Sequence, residues 1–313
     1  MKLSTYILAG EPRVGAVVGD SLIDLARSRA HELRERGDTE ASAIAAAELP
    51  GDIVRILARP AGIDTARAAA EHGASLDAEL ARHELIQLRF SDVTLLPPVP
   101  NPPKIVCVAR NYAEHAREAG LAVSEIPILF ARFAKTLIGP GASIVAPRVS
   151  PELDWEGELA VVIGRGGRHI ARADAFDHVA GYSIFNDVTV RDYQFRVTQY
   201  TAGKNFSASG PFGPFLVLAD EVPDPARLEL VTEVTGVEMQ RASTADMIFD
   251  VPTLIEHISE FIELEAGDVI ATGTPAGVGF KREPPRFLVP GDVVRVSITD
   301  LGTLENPVEA EAA

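Results

Sequence analysis

Residues 154–163 read Asp154-Trp155-Glu156-Gly157-Glu158-Leu159-Ala160-Val161-Val162-Ile163, two spaced acids running into an apolar strand. Side chains on a strand alternate between its faces, so Glu156 and Glu158 point the same way. Two carboxylates held that close repel each other, which is costly unless a cation neutralises them. On an exposed edge the same repulsion would be screened by solvent and carry no meaning. Asp154 shares their parity and is either a further ligand or a solvated acid.

Working outward, more short apolar runs broken by Gly and Pro follow. Ala180-Gly181-Tyr182-Ser183-Ile184-Phe185 and Phe215-Leu216-Val217-Leu218 read as strands, and Gly267-Asp268 and Gly291-Asp292 each turn into another. One helix is predicted from about Pro252 to Glu263, with Leu254, Ile255, Ile258, Phe261 and Ile262 on one face and Asp250 as cap. Mostly strands with occasional helices predict a β-rich α+β fold. Before it, residues 1–95 read as a small α+β domain. Tyr6–Leu8 and Val14–Val18 form a hairpin there, and helices follow near 22–36, 40–48, 51–59 and 61–72. Five prolines within Leu95–Pro103 mark a stiff connection, so the second domain is placed at 96–313.

Composition narrows the function. The 313 residues carry 45 acids against 29 Lys and Arg, a net charge of -16. That balance disfavours nucleic acid and anionic membrane, both of which need a cationic face. The one cysteine, Cys107, lies in an apolar strand and reads as a small buried side chain, and a Cys-rich zinc site is excluded. No signal peptide and no membrane-length apolar run are read, which predicts a soluble, cytoplasmic protein. A dinucleotide-binding reading fails for lack of a Gly-rich fingerprint and a βαβ pattern.

Asp187 ends an apolar strand in Phe185-Asn186-Asp187-Val188, where an inward acid needs a partner. With Glu156 and Glu158 it would give three hard oxygen donors, a set suited to Mg²⁺, Mn²⁺ or Ca²⁺. Three protein ligands leave octahedral positions open for substrate, as a catalytic metal requires. His115 and Glu118 are three apart, hence neighbours on a helical turn, and form either a general-base pair or a surface pair. Lys204, in Gly203-Lys204-Asn205, would hold an anionic group, although lysines are ordinarily exposed. Thr272-Gly273-Thr274-Pro275-Ala276-Gly277 is a glycine-rich loop after a strand that lets backbone and hydroxyls approach a ligand.

These motifs, in this order over residues 95–308, resemble the fumarylacetoacetate hydrolase family. The resemblance rests on Asn111-Tyr112-x-x-His115-x-x-Glu118, Glu156-x-Glu158, Asn186-Asp187, Arg191-Asp192-x-Gln194, Gly203-Lys204, the Thr272 loop and Gly302-Thr303-Leu304-Glu305-Asn306-Pro307. It implies a mixed β-roll or barrel-like catalytic core, a homodimer, and Mg²⁺ or Mn²⁺ (Ca²⁺ as a substitute) on Glu156, Glu158 and Asp187. It places His115 and Glu118 at a water, Lys204 at developing negative charge, and Arg191, Gln194, Thr274, Arg110 and Tyr112 around a small anionic oxo acid. Arg132 stands where lysine is common in the family, which leaves substrate preference open.

The function expected is metal-dependent hydrolysis of a carbon–carbon bond in a 2,4-dioxo acid through an enolate. The first alternative is isomerisation or decarboxylation of a 2-hydroxymuconate-type or oxaloacetate-like acid. The second is a binding protein without catalysis on the same scaffold.

Overall fold

The computed structural model of the chain describes residues 1–114 and 124–312. Strands Lys2–Leu8 and Glu11–Val18 form the predicted hairpin. It turns on Ala9 and Gly10, both at positive φ, which matches the twist of the flanking strands. Ser21–Asp24, expected as helix, is a third strand that buries Leu22 and Ile23. Helix Leu25–Glu35 starts only after it, because the Asp24 carboxylate accepts from Arg27 N–H at 2.9 Å and caps it. Helices Ala41–Glu48, Ile53–Leu57 and Gly62–Ser75 follow close to their expected limits. A further short helix, Ala78–His83, was not anticipated.

Twelve strands share one mixed sheet. Its main path runs from Gln87–Arg89 through the three N-terminal strands to Gly210–Leu218, Val179–Asn186, Gly157–Ile163, Val269–Ala271, Ile105–Ala109 and Ile128–Arg132. The N-terminal strand is thus hydrogen-bonded directly to Gly210–Leu218, with Lys2 opposite Val217 and Leu3 opposite Leu216. A second, five-stranded sheet contains Glu229–Val234, Val293–Ile298 and Gly302–Ala310. The fold is α+β and strand-rich as expected. The large sheet stays open and does not close into a barrel.

Leu159, Val161, Ile163, Ile184, Val294 and Val296 belong to the largest apolar cluster, which includes strands of both sheets. Helix Val251–Phe261 adds Leu254, Ile255 and Ile258 to that core, and Asp250 caps it by accepting from Thr253 N–H at 3.0 Å. Phe261, expected on the same face, is exposed instead.

Strand Gly157–Ile163 is buried along its whole length and lies between two sheet partners, which puts the acids at its start inside the protein. Gly157 pairs with Asn186, and Asp187 N–H donates to the Glu156 carbonyl at 2.8 Å. That register sets Asp187 beside the two glutamates.

Candidate metal centre and active site

One carboxylate oxygen from each of Glu156, Glu158 and Asp187 lies within 4.8 Å of the other two. All three residues are buried, at 5, 2 and 0% exposure, so the exposed-edge reading of the pair does not hold. Three cations brace them. Lys204 Nζ donates to Glu156 Oε2 at 2.6 Å and to Asp187 Oδ2 at 2.5 Å. Arg132 pairs with the other Asp187 oxygen and also donates to Ser209. Arg191 Nη1 lies 2.7 Å from Glu156 Oε1.

Glu158 is held differently. Its Oε2 accepts from the Gly273 backbone N–H at 2.9 Å. Gly273 sits at φ +101°, and a Cβ there would come within 2.8 Å of the Asn111 Cβ, so glycine is needed for this approach. Asn111 fastens the same loop: its Nδ2 donates to the carbonyls of Thr272 and Phe249, and its Oδ1 accepts from Phe249 N–H.

Burial, then Asp187, then Glu156 push the Glu158 carboxyl well above its usual range, and Lys204 opposes them incompletely. For Lys204 itself burial works downward, but Asp187 and Glu156 outweigh it and hold the ammonium protonated. Two unit charges 4.8 Å apart repel by about 3.5 kcal/mol at an effective dielectric near 20. Lys204, Arg132 and Arg191 match the three acids in number, but the shortage of counter-charge falls on Glu158, whose burial and acidic neighbours Lys204 offsets only in part. Hard oxygen donors, buried, convergent and short of counter-charge, fit a divalent cation such as Mg²⁺ or Mn²⁺.

That shortage predicts how stability varies with pH. Glu158 has a higher pKa in the folded chain than unfolded, so the folded chain binds more protons above the ordinary glutamate range. The metal-free protein must then lose stability as pH rises. Thermal melts in EDTA between about pH 5 and pH 8 should show Glu158→Gln losing less of its melting temperature than the parent. Parallel curves would contradict the assignment.

Asp154 is neither a ligand nor solvated, as the sequence reading had it. It is fully buried, and its Oδ1 accepts from Gly279 N–H at 2.7 Å while its Oδ2 accepts from Arg191 Nε at 2.8 Å. It therefore aims the Arg191 guanidinium. Arg191 Nη1 also donates to Gln194 Oε1 at 2.9 Å, and its Cζ lies 4.4 Å from the centre of the Phe280 ring. Its remaining nitrogen, Nη2, is buried with no acceptor among the described residues.

Glu156, Glu158 and Lys204 line a narrow cleft of about 70 Å³ together with Arg110, Arg191, Gln194 and Thr274, while Phe130, Phe195, Tyr200 and Phe280 give it apolar walls. Thr274 Oγ1 donates to the Gly157 carbonyl at 2.9 Å and accepts from Gln240 Nε2 at 2.8 Å. Gln240 and Asp154 were missed as supports, since only tertiary contacts reveal them. Tyr112 does not line the cleft; it is buried beside it and bridges to Met247. His115 and Glu118 lie outside the described residues. Two wider hollows, of about 510 and 580 Å³, contain none of these groups. Chemistry, not volume, marks the narrow cleft as the candidate site.

The chain is similar to known proteins over most of its length. The family profile described as fumarylacetoacetate (FAA) hydrolase, C-terminal, matches residues 104–309. The chain is 46% identical over 227 residues to the mitochondrial oxaloacetate tautomerase FAHD2A of Bos taurus, covering 72% of each. It is 38% identical over 316 residues to oxaloacetate tautomerase YisK of Bacillus subtilis (strain 168), covering 98% of this chain and 100% of that one. Among solved structures it resembles maleylpyruvate hydrolase from Sphingobium sp. SYK-6 in complex with manganese (II) ion and pyruvate. That match has a TM-score of 0.73 and 30% identity, and covers 100% of both chains. On the family profile and on this degree of identity, the chain belongs to the fumarylacetoacetate hydrolase family.

Proposed function

We propose that the chain interconverts the enol and keto forms of a small oxo-dicarboxylate of the oxaloacetate type, with Mg²⁺ or Mn²⁺ held by Glu156, Glu158 and Asp187. The observation that carries this reading is the meeting of three buried carboxylates with Lys204 on the floor of a cleft with Arg191 in its lining. The relative that spans nearly the whole chain is named for this activity. The reaction moves one proton between the enol oxygen and the adjacent carbon. No water is consumed and nothing leaves.

When bound, the cation supplies Lewis acidity to the carboxylate and oxo oxygens of the substrate. Lys204, kept protonated by Asp187 and Glu156, stabilises negative charge as it develops on the oxygen. Arg191, aimed by Asp154, offers its free Nη2–H to a substrate carboxylate. The aromatic walls keep bulk water from the reacting carbon. Proton transfer at that carbon falls to His115, oriented by Glu118, on the sequence argument alone.

Hydrolysis of a 2,4-dioxo acid is the second reading, favoured by the likeness to the maleylpyruvate hydrolase. One pair of assays separates the two. The enol absorbance of oxaloacetate is followed with and without EDTA, and an acylpyruvate is incubated with the enzyme in ¹⁸O-water. Metal-dependent enol decay without bond cleavage supports the tautomerase. Label in a product carboxylate with no effect on the enol overturns it in favour of the hydrolase. Inertness toward both substrates would leave a binding protein.

Arg191→Lys should raise KM for the dicarboxylate about tenfold or more with a smaller change in kcat, because a point charge replaces the fork that meets a carboxylate. Steady-state kinetics at saturating Mg²⁺ checks this; an unchanged KM would remove Arg191 from the substrate.

A further inference from the structure

A second group of ligating side chains lies far from the cleft, in the N-terminal helices. His31 and Glu35 occupy adjacent turns of helix Leu25–Glu35, and His72 projects from helix Gly62–Ser75. His31 Nδ1 lies 3.0 Å from His72 Nε2, and Glu35 Oε2 lies 3.8 and 3.7 Å from those two nitrogens. In the plane of a triangle with those sides one point is equidistant from the corners, at about 2.0 Å, and Zn–N and Zn–O bonds run about 2.0 to 2.2 Å. The three separations are thus close to those a cation of this size spans, and small side-chain adjustments would bring the donors round it.

The backbone beneath holds the two imidazoles at this separation. Ser28 Oγ donates to the Ala69 carbonyl at 2.5 Å, and a Cβ on Gly73 would come within 2.8 Å of the same Oγ. The helices thus touch through small residues next to both histidines, a contact that leaves little freedom. The neighbouring acid Glu32 is taken by Arg29 and Arg36, whereas the ion-pair contacts of Glu35 are with the two imidazoles. His31 is nearly buried while Glu35 is exposed, which gives an entering ion an open side.

We propose that His31, Glu35 and His72 form a binding site for a borderline first-row divalent cation of the Zn²⁺ type, with solvent completing the shell. Two imidazoles and one carboxylate select such an ion over Mg²⁺, the reverse of the all-oxygen centre in the cleft. The ion would clip together two helices whose ligands lie 41 positions apart in sequence. It is a structural site, independent of catalysis.

The test uses the full chain stripped with EDTA, titrated with Zn²⁺ against a chromophoric chelator and with Cu²⁺ by electron paramagnetic resonance. The parent should bind Zn²⁺ with an upward shift in melting temperature and show nitrogen couplings from two imidazoles on Cu²⁺. His72→Gln should reduce the couplings from two imidazoles to one and weaken Zn²⁺ binding at least ~10-fold while oxo-acid turnover with Mg²⁺ is unchanged. Glu35→Ala, at an exposed position that folding does not depend on, should weaken Zn²⁺ binding in the same direction. Absence of two-imidazole coupling in the parent, or its persistence at two imidazoles in His72→Gln, overturns the site. The histidines then share only a hydrogen bond.

Discussion

Glu158→Gln is expected to abolish turnover while leaving the metal-free chain more stable than the parent. The glutamine keeps an oxygen to accept from Gly273 N–H, so the loop stays fastened. What disappears is one negative charge in a buried space that already holds Asp187 and Glu156. Removing one of three anionic ligands should weaken Mg²⁺ or Mn²⁺ at least ~100-fold and lower turnover by ~10³-fold at millimolar metal. Opposite changes in stability and activity are the signature of a site strained for function. Isothermal titration with metal, melts in EDTA and enol-decay rates measure the three quantities. Full turnover by the variant after EDTA dialysis would refute the metal centre.

Lys204→Met is the second large effect, and its two readouts should also move apart. The ammonium touches Glu156 and Asp187, so its loss leaves them with Arg191 and Arg132 alone and takes from Glu158 the one cation that opposes its neighbours. Breaking such a pair costs about 3–5 kcal/mol when nothing replaces the missing charge. The metal-free variant should therefore melt well below the parent, and a bound divalent cation should recover much of the difference. Metal affinity should rise, since a competing positive charge has gone. Turnover should nevertheless fall ~10²- to 10³-fold, the usual loss when a group that stabilises developing charge is removed. Weaker metal binding with normal turnover would show that Lys204 supports the acids and does no chemistry.

The acid centre was legible because alternation along one strand is a local rule. Parity alone placed Glu156 and Glu158 together, and the end of an apolar strand marked Asp187 as inward. The braces were not legible, because nothing local joins Arg132 to Asp187, Arg191 to Asp154 or Gln240 to Thr274. Asp154 shows the limit: its parity matched the ligands, yet the backbone N–H groups of a distant turn and one arginine claimed it. In the N-terminal region the helical runs were readable, but Ser21–Asp24 was absorbed into a helix. Four residues are too few to display a period, and only the pairing of Leu22 with Val17 and Leu88 fixes them as strand. The open sheet was missed for a similar reason, since closure depends on which edges meet and no pattern within a strand reports that.

The pairing of Lys2 and Leu3 with Val217 and Leu216 also bears on how the molecule assembles. This pairing joins positions some 215 apart in sequence, a contact whose loop-closure cost is high. The hairpin Lys2–Val18 is local, whereas its junction with Gly210–Leu218 is long-range. Removing Lys2 and Leu3 would strip a neighbour from Gly210–Leu218, so this short pairing helps hold together the sheet that carries the acid cluster.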